Sequence, residues 1–173
     1  ITDDIFLIGE LRYSPEIMGR KGNYRLAVWM NRKEHQDFLD AGNDECTGRG
    51  VGLSLDQEVT DLVKVFARFG IRNSSIYDLK SSWSAGLEIN AKPIGREEDV
   101  FGFAIGQHYI SGDYEETVSF DAADSETIME LYYNYKVNDK MVITPDIQIV
   151  SDAGGNSDAD TFVTAGVRLQ IDF

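Results

Sequence analysis

One cysteine, three prolines, two histidines and two tryptophans are all that 173 residues contain of these types. A single cysteine, Cys46, excludes an internal disulfide framework and a cysteine-rich zinc site. Basic side chains are also scarce, with 16 Lys and Arg against 30 Asp and Glu and a net charge of −14. A free nucleic-acid binder needs a basic footprint to neutralise phosphates, so that class is excluded. Long apolar runs are absent too. Leu26-Ala27-Val28-Trp29-Met30 is the longest, and a membrane helix needs about 18–20 such residues. Hydropathy therefore rules out helical spans. It leaves open a membrane β-barrel, whose strands hide alternate apolar residues among polar ones. No initiator methionine or signal peptide is present, so Ile1 reads as an internal or processed start.

What is abundant is alternation. From Val163 the odd positions read Val163, Ala165, Val167, Leu169, Ile171 and Phe173, against Thr164, Gly166, Arg168, Gln170 and Asp172. A helix repeats at 3.6 residues and cannot sort side chains this way; a strand does so automatically. The same period of two runs through Met141–Val150, Met129–Lys136, Phe101–Tyr109, Ser82–Ile89, Val63–Arg72, Val51–Asp56, Tyr24–Asn31 and Leu7–Tyr13. The reading is all-β, with nine antiparallel strands mostly about 9–12 residues long, the length a tilted strand needs to cross a bilayer. Pro145 falls mid-strand and removes a ladder donor, so a local irregularity is expected there.

The connections alternate between short and long. Long ones cover 32–49, 73–80, 111–125 and 151–160, and are acidic and rich in Gly, Asp and Ser. Long and short loops on opposite rims are the pattern of an outer-membrane barrel. A soluble β-sandwich or lipocalin-type barrel, with its apolar face inward, is the alternative that alternation alone leaves open. Strand length, charges of both signs on the second face and aromatics near strand ends (Tyr13, Tyr24, Tyr109, Tyr133, Tyr135, Phe173) favour the membrane. On that reading Val163, Val167, Leu169, Leu131, Ile143, Ile147, Val65 and Phe69 face lipid.

Several stretches resemble the OprB-type carbohydrate-selective porins of Gram-negative outer membranes. They are GNYRLAVWM (22–30), GLSLDQEVTDLVKVFARFG (52–70), WSAGLEI (83–89), GREEDVFGFAIGQ (95–107), ETIMELYYNYKVNDKMVITPDIQIV (126–150) and SDADTFVTAGVRLQIDF (157–173). The resemblance implies a transmembrane β-barrel of about sixteen strands in the bacterial outer membrane, through which sugars diffuse passively without a cofactor. Residues 1–173 then read as the C-terminal portion of one barrel domain, completed by an N-terminal part of the same barrel. Topology points the same way, because bacterial single-chain barrels have even strand numbers and nine is odd. Phe173 resembles the terminal aromatic that outer-membrane proteins offer to the barrel-assembly machinery.

The inward face then carries Glu10, Arg12, Arg25, Trp29, Asp56, Lys64, Arg68, Arg72, Glu88, His108, Glu130, Asp146, Gln148 and Arg168. Sugars are held by flat rings against their apolar faces and by polar forks matched to hydroxyls, and Arg, carboxylate and Trp side chains supply these. Each charge can equally pair across strands and simply keep the lumen wet. His108 with Ser111, or Glu10 with Glu130, would suggest a hydrolase, but nothing in the spacing places these groups together. Asn156, Asp158 and Asp160 offer oxygen ligands of the kind Ca²⁺ takes, in what otherwise reads as a solvated acidic loop. His35 and Cys46 read as ordinary loop residues. The expected function is carbohydrate-selective diffusion through a charged lumen; the alternative is a structural or anchoring barrel without sugar selectivity.

Overall fold

A computed structural model describes residues 5–40, 42, 47–119 and 125–173. Ile1, Cys46 and part of the 111–125 connection lie outside the described residues. The strands are β1 (Phe6–Tyr13), β2 (Glu16–Ile17), β3 (Arg20–Asn31), β4 (Gly48–Glu58), β5 (Val63–Arg72), β6 (Leu79–Asn90), β7 (Val100–Ile110), β8 (Ser125–Asn138), β9 (Met141–Ser151) and β10 (Phe162–Ile171). Nine of them match the expected strands. The two-residue β2 is an addition, and it pairs with the start of β3. Met18 and Gly19 both take positive φ, 52° and 75°, in the turn between them. Two such residues make the hairpin turn whose twist suits antiparallel strands.

All neighbours pair antiparallel in one sheet of order β1-β3-β4-β5-β6-β7-β8-β9-β10. Apart from the short β2, each strand pairs with the next in sequence, so the chain is a meander with β1 and β10 at the two edges of the described sheet. Among the described residues no helix is long and apolar enough to cross a membrane; the one α-helix is a single turn, α1 (Gly112–Glu115).

The register puts the two sequence faces on opposite sides, with shifts at Leu79/Ser81 between β6 and β7 and at Lys136/Asn138 between β8 and β9. Val163, Val167 and Leu169 stand beside Ile149, Pro145 and Ile143, while Gly166 and Arg168 stand beside Asp146 and Thr144. The apolar side is open: Val163, Val167, Leu131, Ile147, Phe69 and Leu169 are all exposed. A soluble barrel would bury these side chains, and the described core instead holds only Ile76, Ala91, Ile110 and Val150 as buried apolar residues. At Pro145 the β8–β9 ladder skips from Tyr132↔Asp146 to Tyr135↔Ile143. The Thr144 hydroxyl donates instead to the Asn134 side-chain oxygen, 2.7 Å away, across the interrupted rung.

The short-connection end is braced by a buried carboxylate. Asp99 accepts from Arg96 Nε (2.6 Å) and Nη2 (3.0 Å), from Tyr133 Oη (2.5 Å) and from the Lys136 amide (2.9 Å). It thereby ties the β6–β7 turn to the end of β8. Arg96 also stacks over the Tyr135 ring, 4.3 Å from its centroid. The bonded Arg96 guanidinium holds the Asp99 carboxyl down at about 2, against the burial that pushes it up. A carboxylate depressed on folding stabilises above its unfolded value of about 3.9, and that contribution is lost as pH falls toward 2. Asp99→Asn should therefore lower the urea midpoint of the folded barrel at neutral pH and flatten its decline between about pH 4 and 2. An unchanged acid profile in the variant would contradict this role.

The lumen wall as candidate functional site

The second face of the sheet forms a run of adjoining depressions. At the long-connection end one of about 350 Å³ is lined by Trp29, Arg72, Leu79, Ser82 and His108, over a floor that includes Gly52 and Gly70. The next, about 330 Å³, brings in Glu10, Arg25, Ser54, Arg68 and Ser84. A third, about 340 Å³, lies toward the short connections among Asn23, Arg25, Asp56, Glu58 and Lys64.

The charges are sorted along this wall. Arg25 Nη2 and Arg68 Nη2 share one carboxylate, Asp56, at 3.2 and 2.8 Å. Arg68 Nη1 is further fixed by the carbonyls of Leu55 and Ala67, and its guanidinium lies 5.2 Å from the Phe66 centroid. Beside this cluster Asn23 Oδ1, Arg25 Nε and Ser54 Oγ have no partner among the described residues. Arg12 pairs with Glu10 on the edge strand at 2.9 Å. Lys64 stands between Glu58 and Glu88 on its two neighbouring strands, with no ion pair among the described residues. Further round the wall His108 Nδ1 lies 3.3 Å from Glu126, and Glu88 accepts from Tyr132 Oη at 2.9 Å. Glu130 faces Gln148, Asp146 stands beside Gly166, and Arg168 beside Thr144. The side from β3 to β5 is thus rich in guanidinium groups, and that from β6 to β9 in carboxylates.

Three aromatic rings lie across glycines of an adjacent strand on this face. Trp29 is paired with Gly50, Phe66 with Gly86 and Tyr132 with Gly102. A Cβ at any of these glycines would overlap the ring, so only glycine lets the ring lie flat. Trp29 is also held by Phe6 (centroids 6.1 Å apart) and by Tyr77 (5.9 Å). Tyr77 comes from the β5–β6 connection, bonds His35 Nε2 through its hydroxyl at 3.1 Å and carries the Arg72 guanidinium 4.8 Å from its ring centroid. Arg72 is anchored in turn by Asp78 (2.9 Å) and the Leu79 carbonyl (2.5 Å). His35, which reads as an ordinary loop residue in the sequence, therefore helps to orient the aromatic group at this end.

Tyr77, Phe66 and Tyr132 are wall residues that the sequence reading leaves out. For Phe66 and Tyr132 the signal is a ring opposite a glycine on the lumen parity, visible only when the register is known; Tyr77 lies in a connection and carries no such signal. The hydrolase groupings do not assemble: the Ser111 hydroxyl donates to the Ser74 carbonyl and the residue is fully buried. Glu10 and Glu130 are six strand spacings apart in the sheet order, about 29 Å measured along it. In the 152–161 connection Asn156 Oδ1 accepts from the Asp158 amide, and no cluster of three or more His, Cys, Asp or Glu side chains suited to a metal occurs among the described residues. Phe173 lies exposed beyond β10.

An antiparallel meander with long strands, an apolar outer side and a charged inner one is the wall of a membrane β-barrel. The family model described as carbohydrate-selective porin, OprB family, matches residues 2–173, and the chain belongs to that family. It is an outer-membrane protein, and the family is one of channels. Porin B of Pseudomonas aeruginosa is 23% identical over 121 residues, which are 70% of this chain and 27% of that protein. An uncharacterized protein of Nostoc sp. strain PCC 7120 is 31% identical over 141 residues, 80% of this chain and 23% of its own length. The solved high-pH structure of Pseudomonas putida OprB superposes with a TM-score of 0.87 at 20% identity, over 99% of this chain and 49% of that one. The fold is thus that of a porin barrel, and the chain spans about a quarter of the curated relatives and half of the solved chain.

Proposed function

We propose that the chain forms one side of a sugar-conducting channel, its residues 1–173 being the C-terminal portion of a single outer-membrane barrel domain. An N-terminal part of the same barrel would close the wall between β10 and β1, and Phe173 would present the chain to the barrel-assembly machinery. Transport is passive diffusion down a gradient, which needs neither a catalytic group nor a cofactor. The observation that carries the reading is the lumen face itself. It sets the Trp29 ring and the Arg72, Arg25 and Arg68 guanidinium groups, with the Glu10 and Asp56 carboxylates, along adjoining depressions, and a ring and polar forks are the two surfaces that complement a sugar.

Arginine offers a planar array of five donors, so one side chain grips neighbouring hydroxyls. Arg25, Arg68 and Arg168, with Trp29 and Arg72 at the long-connection end, are the residues proposed to contact the permeant. Lys64, Glu88, His108, Glu130, Asp146 and Gln148 complete the polar lining. A hydrogen bond to a charged group contributes about 1.5–3 kcal/mol at most, and less in a wet lumen. A saturable sugar site weakens about tenfold for each 1.4 kcal/mol lost.

The test replaces Arg25, Arg68 and Arg168 together by Ala in the full-length barrel, with Asp56→Asn added because its two partners are removed. Trp29→Ala is measured separately. Liposome swelling with neutral sugars is compared with amino acids of similar size. The expected result is a sugar rate reduced severalfold more than the amino-acid rate. Unchanged sugar preference in both variants would leave a structural or anchoring barrel without sugar selectivity.

A further inference from the structure

Three charged side chains fall on the lipid-facing side of the strands: Arg20, Arg49 and Lys80. Arg20, at the short-connection end, is held by Asp61. The bound Arg20 guanidinium draws the Asp61 carboxyl below its usual range. Arg49 and Lys80 differ. Both sit at the long-connection end, both are exposed, and neither has an ion pair among the described residues.

Their placement follows from the register. Arg49 is paired with Met30 on β3 and shares a face with Val51 and Leu53. Its backbone is pinned on the other side, because its amide donates to the Asn73 side-chain oxygen at 2.7 Å and its carbonyl accepts from the Asn73 amide at 3.2 Å. Lys80 is the extra residue where the β6–β7 register shifts: Leu79 pairs with Ile110 on the lumen side and Ser81 with Tyr109 on the lipid side. In such a bulge two residues oppose one, so Lys80 and Ser81 both stand opposite Tyr109 on the outer face. β4 and β6 flank β5, which sets Arg49 and Lys80 about 10 Å apart along the rim. Two long side chains at that spacing have the reach to meet at one anionic group.

We propose that Arg49 and Lys80 form a binding site on the outer wall for the anionic phosphate headgroup of an outer-leaflet lipid, whose acyl chains lie along Met30, Val51 and Ile71. A cation among apolar lipid-facing residues is tolerated only near the interface, where it costs about 0–1 kcal/mol. Long loops are extracellular in such barrels, so this rim lies at the outer leaflet. The neighbouring connections carry Asp113, Glu115, Glu116, Asp152, Asp158 and Asp160, which repel an anionic headgroup. The two cations turned outward rather than toward these carboxylates give it a place to dock. The site rests on the membrane placement of the chain and is independent of sugar selectivity.

The probe is vesicle lipid of defined composition: phosphatidylcholine with and without phosphatidylglycerol. Full-length protein is extracted from each and the lipids it retains are counted by native mass spectrometry. Near an anionic surface each Lys or Arg contributes about fivefold in lipid affinity. Arg49→Gln with Lys80→Gln should therefore reduce the preference for phosphatidylglycerol about twenty-five-fold, and Lys80→Gln alone about fivefold, should the double variant fail to insert. Arg49→Lys should keep most of the preference. Lys140→Gln, which removes an exposed cation at the opposite end, should leave it unchanged, and sugar flux should be unaffected throughout. Undiminished preference in the Gln variants, or an equal loss in Lys140→Gln, would overturn the site.

Discussion

Leu131→Arg is expected to destabilise the membrane-inserted barrel by about 2–4 kcal/mol, the cost of a cation facing lipid near the bilayer midplane. Leu131 is the middle of β8, exposed on the outer face between Phe103 of β7 and Ile147 of β9. The arginine would find no acceptor there, since its cross-strand neighbours are hydrocarbon. Gln148→Arg is the matched control. Gln148 lies on β9 in the same strand pair, opposite Glu130 of β8 on the other face, so a guanidinium there gains a carboxylate and water. Reversible urea unfolding in lipid vesicles separates the two. A larger loss for Gln148→Arg than for Leu131→Arg would mean that the faces are reversed.

The second expected result is the absence of conductance. Residues 1–173 expressed alone should form no closed monomeric channel in a planar bilayer, while the full-length protein conducts. β1 and β10 are the edges of the described sheet. In hydrocarbon each unsatisfied backbone group costs several kcal/mol, and β1 alone is 8 residues long. Exposed edges pair with whatever strand is offered, so oligomers and aggregates are the expected products of the isolated chain. Stable single-channel steps from a monomer would show that these strands close on each other.

Both results follow from facts of different kinds. That Leu131 and Gln148 lie on opposite faces is legible in the period of two, because side chains of a strand alternate whatever the partner strand is. That Gln148 has Glu130 as its neighbour is not, since it depends on which residue of β8 faces which residue of β9. The irregularity at Pro145 follows from the missing donor, whereas its remedy, the bond from Thr144 to Asn134, depends on which residue of β8 stands across from it.

Face and class are therefore what the sequence determined by itself: an all-β chain with long strands, one apolar side and one charged side, and long acidic connections alternating with short ones. These are local or periodic properties, carried by each strand without reference to any other. Tertiary structure alone decided which charges meet and which surfaces are built. Arg25 and Arg68 converge on Asp56, Tyr77 reaches from a connection to Trp29 and Arg72, and rings settle over Gly50, Gly86 and Gly102. Asp99 joins a turn to a strand end 37 residues away, and the β6–β7 register shift falls at Lys80, two strands from Arg49. Each of these contacts depends on register between strands distant in sequence, and a shift of one residue would exchange the two faces and dissolve it.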